Sequence, residues 1–283
     1  MVLVNYNSEY TRLKKVALYR PNFDEVEQID VKNVMYTEIP DPKAVYEEFD
    51  GIVDKLRSLG VEVIVLEDKE NYTHTSNMIF LRDVAMVFRN KIVLANMKYG
   101  IRKKEPEKFK YLLEKNNHRY SDSFINLDNN AIMEGADIFV LSLDLLYIYQ
   151  NNRTNSNATS EIKARFSNVQ IHTIKADIFD IPQHILGGVH IIDEKLAARR
   201  VEYCHNPIGD IDFIDFTETS EIREGFGLNI VTISPSEILM PSNRPDIKQR
   251  LESAGIVCHE IKIEEIYKMG GGLACMVLPL VRE

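Results

Sequence analysis

The chain has no run of about eighteen apolar residues, so no membrane-spanning helix is expected. Its opening residues, Met1-Val-Leu-Val-Asn-Tyr6, lack a basic segment followed by an apolar one, so no secretory leader is expected either. Cysteine is scarce. Cys204, Cys258 and Cys275 are odd in number and widely spaced, which excludes a disulfide framework and a zinc-ligand pattern and points to a reduced, cytoplasmic protein. Positive charge is in deficit, with 34 Lys and Arg against 43 Asp and Glu for a net charge of -9. That balance argues against nucleic acid or an anionic membrane as the partner, since both reward basic patches. No Pro/Gly/Ser-rich linker and no break in composition divides the chain, so residues 1–283 are expected to form one domain.

What the chain does have is apolar material, 45% of 283 residues, enough for a large core. It comes in short strand-like runs separated by helices. Lys14 to Arg20 reads as a strand. Asp41-Pro42 starts a helix, with Asp as N-cap and Pro at the first position, and Val45, Phe49, Ile52, Val53 and Leu56 form its apolar face. Gly60 ends it and Val61 to Leu66 is the next strand. The same helix–Gly–strand unit returns at Asp246–Ala254, Gly255 and Ile256–Ile261. Between them, Met78–Leu81, Val84–Phe88, Ile92–Ala95, Ala131–Met133, Ile138–Leu141, Leu145–Tyr149, Val169–Ile174, Val189–Ile192, Lys195–Arg200, Ile230–Ile233 and Glu237–Met240 read as strands. Residues 103 to 115 read as a surface helix, and another runs to about Phe166. Five units of roughly 56 residues would fill the length, a spacing typical of repeat or propeller architecture.

Four polar clusters interrupt these runs: Asn77 to Asp83, Glu134 to Asp137, His184 to Gly188, and Gly270-Gly-Gly-Leu-Ala-Cys275 before the apolar run Met276 to Val281. Burying a lone charge costs several kcal/mol, on the order of what a paired one avoids, so four such sites suggest that the strand ends converge on one polar cavity. A thiol where a glycine turn meets a core strand suits a nucleophile held rigidly yet open to substrate, with a buried structural cysteine as the alternative. His184 can supply a base, or act as general acid and base. Glu134 can orient it or stabilise a cation. Asp83 can accept two N–H groups from a planar cation.

The order Asn77-x5-Asp83, Glu134-Gly-Ala-Asp137, His184 and Gly-Gly-Gly-Leu-Ala-Cys275 resembles the guanidino-group modifying enzymes: arginine deiminase, dimethylarginine dimethylaminohydrolase and the amidinotransferases. Asn152-Arg-Thr-Asn155 and Met240-Pro-Ser-Asn-Arg-Pro-Asp246 are similar to further segments of that family, and the likeness covers nearly the whole chain. It implies a five-bladed α/β-propeller of ββαβ units, the pentein fold, with its active site at the centre and no cofactor or metal. It implies Cys275 as nucleophile on the guanidinium carbon, His184 as proton donor and acceptor, Glu134 as the carboxylate beside them and Asp83 as guanidinium clamp. Asn77 and Arg153 would hold the amino-acid end of the substrate. There is a departure: where arginine deiminases and amidinotransferases carry His-x-Asp, this chain has Leu186, and the neighbour of Asp83 is Arg82 rather than an acid. One carboxylate contact is therefore missing, and a substituted guanidine with an apolar group near Leu186 would fit the change. The length matches the compact hydrolases. A hydrolase of a guanidino C–N bond is expected, with an amidinotransferase as the alternative and a non-catalytic binding propeller as the rival from another class. The expected partners are a small guanidino substrate and, for assembly, a homodimer.

Overall fold

The short apolar runs pair into five separate three-stranded sheets among the described residues. The structure is a computed structural model of the 283-residue chain and describes residues 3–23, 34–68, 76–175, 184–205, 208–217, 219–223 and 226–283. The strands, in chain order, are β1 (Leu13–Tyr19), β2 (Glu62–Leu66), β3 (Ala85–Phe88), β4 (Lys91–Leu94), β5 (Phe124–Ile125), β6 (Ile138–Ser142), β7 (Leu145–Gln150), β8 (Gln170–Lys175), β9 (Val189–Asp193), β10 (Leu196–Arg200), β11 (Asp212–Phe216), β12 (Val231–Ser234), β13 (Glu237–Pro241), β14 (Val257–Ile261) and β15 (Leu278–Arg282). Each sheet has the same plan: an antiparallel pair of strands and a third strand parallel to the middle one. A parallel neighbour needs a crossover, and helices Pro42–Ser58, Glu105–Asn116, Ser156–Arg165 and Pro245–Ser253 supply it in four of the sheets.

The sheets are the blades of a five-bladed α/β-propeller with pseudo-fivefold symmetry. Burial orders the strands within each blade. β3 and β15 are buried along their whole length, and β6, β9 and β12 nearly so, whereas β2, β8, β11 and β14 are largely open. The first group therefore lines the axis. The two ends of the chain close the ring, because β15 pairs antiparallel with β1 and Asn5 exchanges backbone hydrogen bonds with Leu280 and Arg282. Pro279 is tolerated within β15 because that strand is the edge of its sheet.

The helix signals act as expected. The Asp41 carboxylate accepts the Lys43 N–H at 2.9 Å, Pro42 occupies the first turn, and Val45, Phe49, Ile52, Val53 and Leu56 are buried. Gly60 follows with φ +80, and Gly255 repeats it with φ +83 after the corresponding helix of the last complete unit.

Three segments depart from the sequence reading. Met78–Leu81 is not a strand: a 3₁₀ turn spans Ser76–Ile79 and a helical turn Leu81–Val84. Ala131–Met133 forms only one bridge, between Met133 and Asn96. The strand of the tail begins at Leu278, and Cys275 sits before it in a single helical turn, Leu273–Met276. In all three places an apolar stretch that could extend is bent where it meets the axis. At the first of them the Asn77 and Phe80 carbonyls accept the Phe80 and Asp83 N–H groups within the turns, and Arg102 Nη2 donates to both as well.

Replacing Asp41 by Ala should remove one N-cap hydrogen bond and lower stability by about 1 kcal/mol, read as a shift of the urea midpoint without a change of slope. An unshifted midpoint would mean that the cap contributes nothing.

Candidate active site

Each blade contributes one functional side chain from the turn just before its inner strand. Asp83 precedes β3, Glu134 precedes β6, His184 precedes β9, Asn229 precedes β12 and Cys275 precedes β15. They follow one another at intervals of 51, 50, 45 and 46 residues, so the repeat that builds the propeller also delivers five side chains to one end of its axis. Four of the five, Asp83, His184, Asn229 and Cys275, line a single pocket of about 510 Å³ together with Asn77, Arg102, Arg153, Met35, Phe80 and Phe226. Glu134 is fully buried and reaches the pocket through His184 and Arg153.

The charged groups form one unbroken chain of contacts. The Arg102 Nε–H donates to Glu105 Oε2 at 2.9 Å and its Nη1–H to Asp83 Oδ2 at 2.6 Å. Asp83 Oδ1 lies 3.4 Å from His184 Nδ1, and His184 Nε2 lies 2.7 Å from Glu134 Oε2. Arg153 Nη1 ends the chain, 3.3 Å from Glu134 Oε2 and 3.4 Å from His184 Nε2. Along this line carboxylates and cationic groups alternate. Burial alone would push His184 down, but Asp83, Asp137 and the Glu134 hydrogen bond hold it above its usual 6.5. Burial likewise pulls Glu134 upward, and the hydrogen bond and charge of His184, with Arg153 and Arg102, bring it to about 2. Glu105 stays high, at about 7, because burial outweighs Arg102.

Behind this chain, Asp137 ties three segments together. It accepts from Asn151 Nδ2 at 2.9 Å, from the Thr154 hydroxyl at 2.8 Å and from Ile185 N at 3.2 Å. The Glu134 turn, the Arg153 loop and the residue after His184 are thus held to one carboxylate.

Cys275 is half-buried at the pocket wall. Its turn follows Gly270, whose φ of +87 and close approach to the Met35 carbonyl exclude a side chain there. Burial first, and the negative charge of Asp83 second, push the thiol up to about 11. In the structure as it stands it is therefore a thiol at neutral pH, and an added positive charge is what would favour its ionised form.

The expected site residues Asn77, Asp83, Arg153, His184 and Cys275 are brought to one pocket, with Glu134 directly behind them. Arg153 is there, but Nη1 is given to Glu134. Leu186 is elsewhere: it lines a second cavity of about 350 Å³ with His190, Ala274 and Arg82, on the far side of the Cys275 turn. A group bound at Cys275 does not meet Leu186 across the pocket wall. Arg82 pairs with Glu9 at 2.7 Å rather than with Asp83. His190 is buried beside that second cavity and is pushed down to about 3 by burial and then by Arg82. His74 lies outside the described residues. Three residues of the site were not anticipated: Arg102, Glu105 and Asn229. Asn229 was findable, since counting the interval from His184 to Cys275 places a blade between them.

Asp83, Glu134 and His184 each offer one ligand atom within 4.8 Å of the others, a spacing that also suits a metal ion. Guanidinium groups already hold both carboxylates, which makes the cluster a better match for a further planar cation than for a bare divalent ion.

Residues 29–185 match the family profile described as N,N dimethylarginine dimethylhydrolase, eukaryotic, and residues 210–282 match that of arginine deiminase. The chain is 26% identical to the uncharacterized protein YkgA of Bacillus subtilis (strain 168) over 97% of its own length and 94% of that protein's. In fold it is similar to SxtG, an amidinotransferase from Microseira wollei, with a TM-score of 0.79 at 15% identity over 99% of this chain and 97% of that one. It is also similar to DDAH from Pseudomonas aeruginosa complexed with citrulline, with a TM-score of 0.77 at 16% identity over 95% and 99% of the two chains. The fold and the profiles define a protein of the guanidino-group modifying, or pentein, superfamily. Within it, the chain belongs to the N,N dimethylarginine dimethylhydrolase family.

The raised His184 implies a pH signature. A base whose folded value lies above its unfolded 6.5 adds stability that is complete below 6.5 and is lost as pH rises through the folded value. The stability gap between wild type and His184→Gln should therefore be widest in acid and narrow above neutrality. A gap independent of pH would mean that the imidazole is neutral throughout.

Proposed function

We propose that the chain hydrolyses a C–N bond of a guanidino compound, arginine or a substituted guanidine, through a covalent amidino-thioether on Cys275. The observation that supports this reading is that thiol, imidazole and one carboxylate from three blades line one pocket, with a second carboxylate from a fourth blade bonded to the imidazole from behind. Membership of a guanidino-modifying family supports it.

The charges suggest the order of events. A guanidinium entering beside Asp83 adds one positive charge, and loss of the Cys275 thiol proton to solvent removes one, so the net charge of a site too dry to leave either change alone is unchanged. The Cys275 sulfur then bonds to the guanidinium carbon. His184 gives its proton to the nitrogen that leaves, and the C–N bond breaks with the electron pair departing on that amine. The remaining amidino group stays bound to sulfur. Neutral His184 next takes a proton from a water that attacks the same carbon, and the C–S bond breaks to release a ureido product and the thiolate. Glu134 holds His184 throughout and stabilises its charged form. Asp83 clamps the guanidinium through Oδ1, the oxygen that Arg102 leaves open. Asn77 lines the wall where the rest of the substrate lies, with Arg153 beside it.

Cys275→Ser should abolish release of a ureido product from every guanidine tested while circular dichroism stays unchanged; undiminished release would remove the nucleophile. Product that forms only with an added amine acceptor would make the enzyme an amidinotransferase, since the same thioether would then pass to nitrogen instead of water. Asp83→Asn removes one charge-assisted contact, worth about 1.5–3 kcal/mol, so KM should rise roughly tenfold to a hundredfold. An unchanged KM would reduce Asp83 to a partner of Arg102.

A further inference from the structure

We infer that Asn229 is a catalytic group of this site, its amide N–H holding the Cys275 sulfur while its amide oxygen pins the turn that carries it. The inference rests on the cysteine reading above.

The geometry leaves the amide one orientation. Asn229 is 2% exposed, and its Oδ1 accepts the Ala274 N–H at 2.6 Å. Turning the amide over would set its NH₂ against that backbone N–H, donor against donor, so the oxygen is fixed by its neighbour. Nδ2 is then left facing Cys275 Sγ, at 3.5 Å. An N–H aimed at sulfur is worth little to a neutral thiol and much more to a thiolate, because hydrogen bonds to an ionised acceptor are roughly twice as strong as neutral ones. The contact also lowers the energy of the thiolate that the mechanism needs, opposing the burial and the Asp83 charge that resist it.

Two further features separate this from a side chain that merely fills space. A Cβ at Gly272 would lie 2.8 Å from the Asn229 amide carbon and from Oδ1, so the glycine is what lets the amide lie against the turn. Asn229 also occupies, in the fifth blade, the position before the inner strand from which the other four blades present Asp83, Glu134, His184 and Cys275. Its own backbone N–H is spent on the Phe226 carbonyl at 2.7 Å, which sets the direction in which the side chain leaves. Asp83, Arg102, His184, Arg153 and Tyr267 are the titratable and charged groups around the sulfur, and a change at Asn229 leaves them all in place.

The test is Asn229→Asp. The carboxylate keeps an acceptor for Ala274 N–H and so keeps the turn, but it replaces the N–H on sulfur by an oxygen. Alkylation of Cys275 by iodoacetamide, followed by mass spectrometry of its own peptide at several pH values, reports the thiolate fraction without any guanidine present. Below the thiol's midpoint the rate is proportional to that fraction, so the Asp variant should react about tenfold more slowly or worse at every pH where circular dichroism shows it folded. In turnover its kcat should fall while KM does not rise, since the added negative charge does not hinder a cation. Alkylation rates equal to wild type would overturn the inference and leave Asn229 a structural cap. If the Asp variant does not fold, Asn229→Ser takes its place, because a hydroxyl is too short to serve both contacts and the same slowing is expected. Slowed alkylation in a protein that turns over no guanidine would sink the proposed reaction but not the role of Asn229.

Discussion

Charges out of water must be paired, and at the end of this propeller they are paired with one another in series. Glu105, Arg102, Asp83, His184, Glu134 and Arg153 form a single line of opposite charges in which every link except Arg102–Glu105 joins residues well apart in the chain. Cutting the line anywhere leaves a buried ion alone, which in proteins costs about 3–5 kcal/mol. The blades cannot therefore be assembled in another register without breaking it. The constraint that holds the ring's centre together is the same one that makes its pocket responsive to a single added positive charge.

The periodic part of this arrangement is legible in the sequence. Four polar clusters about fifty residues apart, each set before an apolar run, are what a five-blade ring requires of residues that must face its axis. Helix boundaries were legible for local reasons: Asp41-Pro42 and Gly60 fix one helix, Pro245 and Gly255 another, and none of these depends on the rest of the chain. Met78–Leu81 misled because four apolar residues fit a buried strand and a buried helical turn equally well. The turns bond internally through the Asn77 and Phe80 carbonyls, which also accept from Arg102, a contact across more than twenty residues that no local pattern reports.

The missed residues share a cause. Residues 103 to 115 are rich in charge and read as a surface helix, yet Glu105 within them is 1% exposed, and Arg102 just before them is 2% exposed. Composition reports that a charge is present, not whether water or a partner neutralises it. Asn229 was missed for the opposite reason. It lies between Leu228 and Ile230, carries no charge, and reads as the edge of an apolar strand. Leu186 shows the converse error. Its place two residues after His184 suggested that the two share a pocket, but the 3₁₀ turn at Ile185–Gly187 keeps His184 and Gly187 on the pocket side and presents Leu186 to the second cavity.

Two features of the pocket point the same way. Asp83 Oδ1 is buried without a hydrogen-bond partner, His184 Nδ1 lying 3.4 Å away, although Oδ2 is held by Arg102. Cys275 carries a thiol whose ionisation is suppressed by burial and by that same carboxylate. Either could be relieved separately, by a water on the oxygen or by a base on the sulfur. Both are relieved at once by a planar cation that donates N–H groups to Asp83 and lowers the cost of negative charge on sulfur a few ångströms away. The internal Arg102 shows that Asp83 already accepts a guanidinium on one side, and the open oxygen leaves room for another on the other. On this argument the pocket favours charge and planarity in a ligand before any feature of the ligand's remainder.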